Sequence, residues 1–371
     1  MLKQLESILK KENLIESKEG FESRYFSALQ NKEIREILEI EKPIISNLTD
    51  ILEIENGGEL YAIRMDLNKG VDNHKKQIVA GLILKRIMQK RIPKKGIDTL
   101  IDGGNYNSAK ALKYYVQKFG MKGIYIMSPL FLQKPSILKE LESENFQIQI
   151  APTIKDSPIE REFYNHLFKK MRNKTFNKNK ICLWHAKYSG KAMYPLGKEI
   201  AKDFLEIPDH IVSCIGAGST FEGIQLAMQD YYLENNLPSP SIIIGEHELS
   251  PLFAKFIKTT PSQGSPKNLE DIRNLINPNY YKGVKGLPHL IIGPHYHEIN
   301  PLISKESISR INEIYQYSNE DCISMQKYLE NHKISVGNSS AANISVATNI
   351  ANQGKNVLTI IFEPFRNFYK K

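Results

Sequence analysis

The chain has 371 residues, 41% apolar and 25% charged, with 50 Lys and Arg against 41 Asp and Glu for a formal net charge of +9. That length supports two packed domains, and the balance is ordinary for a water-soluble fold. No apolar run reaches the roughly 20 residues of a membrane span, and Cys182, Cys214 and Cys322 form no CxxC pair, so a disulfide framework is not expected and a reducing cytoplasm is.

The first 42 residues read as helical. MLKQLESILKKENLIESKEG puts Leu2, Leu5, Ile8 and Leu9 on one helical face, an amphipathic pattern unlike the unbroken apolar core of a signal peptide. Strand and helix then alternate: ELYAIRMDL (strand), KKQIVAGLILKRIMQ (helix), DTLID (strand), NSAKALKYYVQKFG (helix closed by Gly120), GIYIMS (strand), KPSILKELESEN (helix) and FQIQIAP (strand). DHIVSCIG and SIIIGE are further strands around the helix TFEGIQLAMQDYYLEN. SNEDCISMQKYLENH, KISVG, SSAANISVATNIANQG and NVLTIIFE close the chain. The strands are β-branched and apolar throughout, as parallel strands buried on both faces are. The expected class is therefore α/β, with mostly parallel, open twisted sheets flanked by helices. The expected division is a helical segment over 1–42, an α/β domain over 43–190 and a second over 191–371. Two stretches break the rhythm. KDSPIEREFYNHLFKKMRNKTFNKNK is polar and is expected between domains. A Pro-, Asn- and Gly-rich stretch at 258–288 reads as a surface insertion.

The lysines are spread along the chain. Their short clusters, KRIMQKRIPKK and KKMRNKTFNKNK, do not interleave aromatics as a nucleic-acid stacking platform does. A solvated surface is the better account, and its field favours anionic ligands.

In open α/β sheets, ligands sit where strands end and helices begin. Three such junctions carry glycine and small polar residues: IDGGNYNSA, IGAGSTFEG and VGNSSAANI. In the second, Gly216 and Gly218 let the backbone approach a ligand, Ser219 and Thr220 add hydroxyls, and the following helix start favours an anion. The loop matches neither a dinucleotide GxGxxG nor a P-loop GxxxxGK[ST]. Taken alone, it is as well explained by a tight turn as by a phosphate cradle.

The three junctions together, in order and spacing, resemble the fold-type II pyridoxal-phosphate enzymes, and among them the cysteine synthase and cystathionine β-synthase group. LYAIRMDLNKGVDNHKKQIVAGLIL looks like that family's strand, its Asn-Pro-Gly-Gly-Ser-Xaa-Lys-Asp-Arg turn and the next helix. DGGNYNSAKALKYYVQKFG resembles its Thr-Ser-Gly-Asn-Thr-Gly loop and helix, and GAGSTFEG its Gly-Thr-Gly-Gly-Thr phosphate loop. IIIGEHELSPLF, LPHLIIG and ISVGNSSAANISVATNIANQGKNVLTIIFE resemble later segments, so the likeness runs from about Pro43 to the C-terminus.

The resemblance implies pyridoxal 5′-phosphate as cofactor, Schiff-base formation at Lys75, Asn105 at the cofactor's 3′ oxygen, Gly216, Ala217, Gly218, Ser219 and Thr220 around its phosphate, and Ser339 at the pyridine nitrogen. Lys75 is preferred to Lys76 because its distance to Asn105 is the family's. The turn before it is one residue longer than usual, and the neighbouring Lys76 cation is expected to lower its pKa. Asn105 and Ser339 also sit where helix caps are common, and only the resemblance separates Ser339 from Ser340.

The substrate loop departs from the pattern. Asp102, Gly103, Gly104 and Tyr106 stand where hydroxyls help hold a substrate carboxylate, and Asp102 brings negative charge there. Either another group holds the carboxylate, such as His185 or Lys187 in LWHAKYSG, or the substrate differs. PHYHE holds His295, His297 and Glu298, with His247 and His289 elsewhere; a surface loop explains them better than a metal site.

The implied activity is β-replacement or β-elimination on a serine-like or cysteine-like amino acid via an aminoacrylate, in a homodimer. Alternatives are a serine/threonine dehydratase, a desulfhydrase, a diaminoacid synthase, a cofactor-binding protein without turnover, and a nucleic-acid binder drawn from the net charge.

Overall fold

A computed structural model of the chain describes residues 1–15, 20–89, 91–92, 98–133, 135–152, 159–173, 179–204, 206–257 and 303–365. Its strands are β1 (Ile44–Asn47), β2 (Glu59–Arg64), β3 (Thr99–Gly104), β4 (Lys122–Met127), β5 (Phe146–Ile150), β6 (Lys180–Cys182), β7 (His210–Cys214), β8 (Ser241–His247), β9 (Glu313–Tyr317) and β10 (Asn356–Ile361). They form a larger sheet of order β1-β2-β10-β7-β8-β9 and a smaller one of order β5-β4-β3-β6. Only β1 runs antiparallel, against β2. Parallel strands need both faces covered, and the sequence supplies what that requires: in β8 every residue from Ile242 to His247 is buried.

The strand–helix alternation expected from the sequence is present, with α4 (Lys75–Met88), α5 (Tyr106–Phe119), α6 (Pro135–Leu141) and α9 (Leu226–Glu234) where the apolar periodicity places them. Gly120 closes α5 with φ 63°, a left-handed cap that suits glycine. Two expectations change. The polar stretch from Lys155 to Lys180 contains α7 (Ile159–Arg172), whose Phe163, Leu167 and Met171 pack on Ile101 and Ile126 of the smaller sheet. Its 3.6-residue apolar spacing is real but diluted by charges on the other face. The sheets also cross the expected divisions: β1 and β2 belong to the larger sheet, and α8 (His185–Asp203) runs through residue 190. The expected insertion at 258–288 lies outside the described residues.

The N-terminal segment forms α1 (Leu2–Lys11), α2 (Phe21–Gln30) and α3 (Lys32–Leu38). Leu5, Leu9, Ile34 and Leu38 are fully buried in the same cluster as Ile78 and Ile83 of α4. The segment is thus part of the main core. Leu9→Ala is expected to cost about 2–5 kcal/mol, the usual range for a leucine truncated in a core. Thermal or urea unfolding measures it; a loss below about 1 kcal/mol would place α1 outside the core.

Candidate active site

The parallel pairing of β2 with β10 runs in register from Glu59↔Asn356 to Arg64↔Ile361. Both chains therefore leave the sheet at the same edge. One leads through 65–74 into α4; the other ends at Phe362 and Glu363. They stay joined: His74 N–H donates to Phe362 O at 3.0 Å, and the two rings lie 4.9 Å apart. The loop itself is tied by side-chain amides. Asn68 Nδ2 donates to Met65 O and Asn73 O (2.8 and 3.0 Å), and Asn73 Oδ1 accepts from Lys75 N at 2.8 Å. This network satisfies the start of α4 and fixes Lys75 at its first position.

Lys75 is 6% exposed, and its Nζ donates to Ser219 Oγ at 3.2 Å. Burial disfavours the ammonium and lowers its pKa from 10.5 to about 8, with Glu363 and Asp102 acting in the opposite direction. The expected cause, the Lys76 cation, is not the one at work. Lys76 turns to the other side of α4, 3.6 Å from Glu39 Oε2 and over the Tyr114 ring. Beside Lys75, burial holds His74 well below the usual histidine range, and the Lys75 charge adds to the shift. His74 therefore stays neutral.

Ser219 belongs to the loop after β7. The loop's helix begins with Glu222 N–H donating to Gly218 O at 2.8 Å, so the helix does not use the N–H groups just before it. Gly216 and Ala217 are half-buried; Gly218, Ser219 and Thr220 are buried. Gly218 has φ 88°, and a Cβ there would stand 2.8 Å from Ile303 Cγ1, so glycine is required by both conformation and space. The helix opens with a π turn over Phe221–Gln225, a form often found at functional sites.

Two buried amides hold this loop against its neighbours. In α10 (Asn338–Ala351), Asn343 accepts from Cys214 N (2.8 Å) and donates to Ile360 O (2.8 Å). Gln225 donates to Ile211 O and Ile243 O (2.8 and 3.2 Å). Neither was among the expected residues. Their signal was an uncharged amide inside an otherwise apolar helical stripe, in AANISVA and EGIQLAM.

Asn105 caps α5, its Oδ1 accepting from Ser108 N (3.4 Å) and Ser108 Oγ (3.1 Å), while Ser108 Oγ meets Tyr125 Oη at 2.5 Å. No described hydrogen bond uses Asn105 Nδ2, so capping and ligand contact are compatible. At the start of α10, Ser340 Oγ accepts from Phe362 N at 2.9 Å and is buried, which gives Ser340 a backbone-holding role. Ser339 is half-buried beside it. Glu363, which sequence reasoning missed, accepts from Asn107 Nδ2 at 3.1 Å and lies against Gly337. It joins the two sheets' loops at the mouth of the site.

The Asp102 loop differs from what its charge implied. Asp102 is 2% exposed and accepts from Gly103 N (2.9 Å) and from His185 N (3.2 and 3.3 Å). Its charge faces the N-terminus of α8, where helix dipole and N–H groups stabilise it. His185 Nδ1 lies 3.2 Å from Asp102 Oδ1. Gly103 and Gly104 are buried. Tyr106 is buried and its hydroxyl donates to Glu140 at 2.5 Å, away from Lys75. Lys187 stacks on Trp184 and Tyr188.

Three features fit a phosphorylated aldehyde cofactor: a buried amine of depressed pKa, a helix-start cup that only glycine can form, and an asparagine amide with an unused donor. No group of metal-ligating side chains occurs among the described residues. His247 is engaged by Asn319 and by Leu249 N; His289, His295, His297 and Glu298 lie outside the described residues.

The profile of a protein family described as "Pyridoxal-phosphate dependent enzyme" matches residues 47–362. Among solved structures, the chain is similar to an O-acetylserine dependent cystathionine β-synthase from Helicobacter pylori, with 20% identity, TM-score 0.64, and coverage of 90% of this chain and 98% of that one. It is similar also to a hydrogen sulfide-producing enzyme from Fusobacterium nucleatum (16%, TM-score 0.64, 90% and 99%). An O-acetylserine sulfhydrylase isoform from Entamoeba histolytica gives 17%, TM-score 0.63, and coverage of 90% and 91%. A search of curated proteins by sequence finds no match. These identities establish a shared fold.

Because burial depresses the Lys75 pKa, the amine is neutral above about pH 8. NMR titration of lysine ε-carbons in the cofactor-free protein should show one midpoint near 8 that vanishes in Lys75→Met. A Lys75 midpoint at the ordinary 10.5 would contradict the burial argument.

Proposed function

The chain belongs to the family of pyridoxal-phosphate dependent enzymes, and from that premise we propose that it carries out β-replacement or β-elimination on a serine-like or cysteine-like amino acid. The observation that carries the reading is the Lys75 amine, buried, poised near pH 8 and 3.2 Å from the glycine-cup serine. In this reading Lys75 holds the cofactor, Gly216 to Thr220 surround its phosphate, Asn105 offers Nδ2 to its ring oxygen, and Ser339 faces its ring nitrogen. When bound, pyridoxal phosphate accepts electron density from the bonds at the substrate's Cα.

The protein supplies the proton movements and the enclosure. A neutral Lys75 takes the proton from Cα, and its depressed pKa keeps a useful fraction unprotonated near neutral pH. A serine at the ring nitrogen, in place of a carboxylate, keeps the ring a moderate electron acceptor, which suits β-chemistry over transamination. The β-substituent then leaves. A nucleophile adds for replacement; water releases a keto acid and ammonia for elimination. The reading includes a homodimer, from the resemblance, and a reducing cytoplasm, from three cysteines far apart in sequence with no CxxC pair. No described helix is long and apolar enough to cross a membrane.

The test is the visible spectrum of the cofactor-loaded protein with serine, phosphoserine, O-acetylserine and cysteine, with product analysis in parallel. At least one amino acid should shift the spectrum and be consumed, and Lys75→Ala should lower turnover by roughly 100- to 10,000-fold. A cofactor band that none of these amino acids perturbs would instead make the chain a cofactor-binding protein without turnover.

A further inference from the structure

Outside the cofactor cup, the described residues place one more acid–base pair against the loop that carries Asn105. His185 opens α8, is 5% exposed, and its Nδ1 stands 3.2 Å from Asp102 Oδ1. The contact is short, yet Nδ1 has no well-aligned hydrogen-bond partner, a geometry that catalytic pairs often show before substrate tightens them. The other edge of the ring covers Gly104: a Cβ there would meet His185 Cε1 at 2.7 Å and Nε2 at 3.2 Å. Gly104 has φ 153° and immediately precedes Asn105, so the Nε2 edge lies against the same loop that carries the Asn105 amide. No described hydrogen bond uses Nε2. The Asp102 charge is felt at Lys75, and that of His185 at the adjacent His74. The other hydroxyl of the loop is elsewhere, since Tyr106 donates to Glu140.

We propose that His185, oriented by Asp102, is the catalytic acid that protonates the departing β-substituent, and that the substrate therefore carries a free β-hydroxyl, as serine does, rather than an O-acyl group. This rests on the β-elimination or β-replacement reading above. Hydroxide is a poor leaving group and needs a proton as it departs; acetate does not. The step balances. Lys75 accepts the Cα proton, and the electrons of that bond form the Cα–Cβ double bond. The Cβ–O bond breaks with its electrons on oxygen, and the Nε2 proton converts the departing hydroxide to water. His185 is left neutral. In replacement, the incoming nucleophile's proton returns to Nε2. Asp102 is a positioning residue: it fixes which nitrogen faces the loop.

The test compares the full-length, cofactor-loaded wild type with His185→Gln, measuring consumption of serine and of O-acetylserine with and without sulfide. Wild type is expected to consume serine. In His185→Gln the ratio of serine to O-acetylserine consumption, as kcat/KM, should fall by at least about 50-fold, within the usual range for a lost general acid. Asp102→Asn should shift the ratio in the same direction. Because Asp102 also caps α8, its readout is paired with ¹⁵N-imidazole NMR of the cofactor-free chain. There, Nδ1 of His185 should carry the proton in wild type and lose that preference in Asp102→Asn. Equal losses on both substrates, a wild type that consumes O-acetylserine but not serine, or an Nδ1 without the proton would each overturn the inference while leaving the proposed function standing. A wild type that consumes neither, but does consume phosphoserine or cysteine, would likewise overturn the inference alone; one that consumes none of the four would overturn the reading beneath it.

Discussion

The site depends on the parallel seam between β2 and β10. The first long strand and the last one pair over six residues, from Glu59↔Asn356 to Arg64↔Ile361, and β10 pairs on its other side with β7. Parallel strands point their carboxyl ends the same way, which is where open α/β sheets bind ligands. One strand thereby gathers three loops distant in sequence: the Lys75 turn after β2, the glycine cup after β7, and Phe362–Glu363 after itself. Hydrogen bonds from His74 N to Phe362 O and from Phe362 N to Ser340 Oγ pin the remaining edges. The smaller sheet contributes Asn105 and Asp102 from the carboxyl end of β3 in the same manner.

Adjacent lysines at the start of α4 show how the fold assigns different chemistry to one residue type. Lys75 points into a buried space whose described hydrogen-bond partner is a serine, so desolvation dominates and its pKa drops. Lys76 is fully buried too, but it reaches back to the N-terminal segment, where Glu39 and Glu41 partly offset burial. Glu39 also accepts from Tyr114 and Lys118. The N-terminal helices therefore close the far side of the helix whose first residue is Lys75. That gives residues 1–42 a structural role that amphipathicity alone did not specify.

Much of this was legible in the sequence, for identifiable reasons. The α/β class followed from β-branched strands alternating with 3.6-period helices, and Gly120 and the GAGST loop announced a cap and a cup through glycine. What remained hidden were interactions between distant positions. Nothing local in FEP marks Glu363 as a bridge to Asn107, and Asn343 and Gln225 read as stray polar residues until β7, β8 and β10 are seen beside them. Asp102 is the clearest case. Its charge, read alone, argued against an anion nearby; folded, it lies at the N-terminus of α8 with His185 against it. Helix α7 was obscured for the opposite reason, because its charged face outweighed three well-spaced apolar residues.

The central claim is that the fold singles out one amine, Lys75, for the cofactor. Borohydride reduction of the cofactor-loaded protein followed by peptide mass spectrometry tests it most directly. The account predicts a phosphopyridoxyl group on Lys75 alone; the same mass on Lys76 or on any other lysine, with Lys75 unmodified, would contradict it.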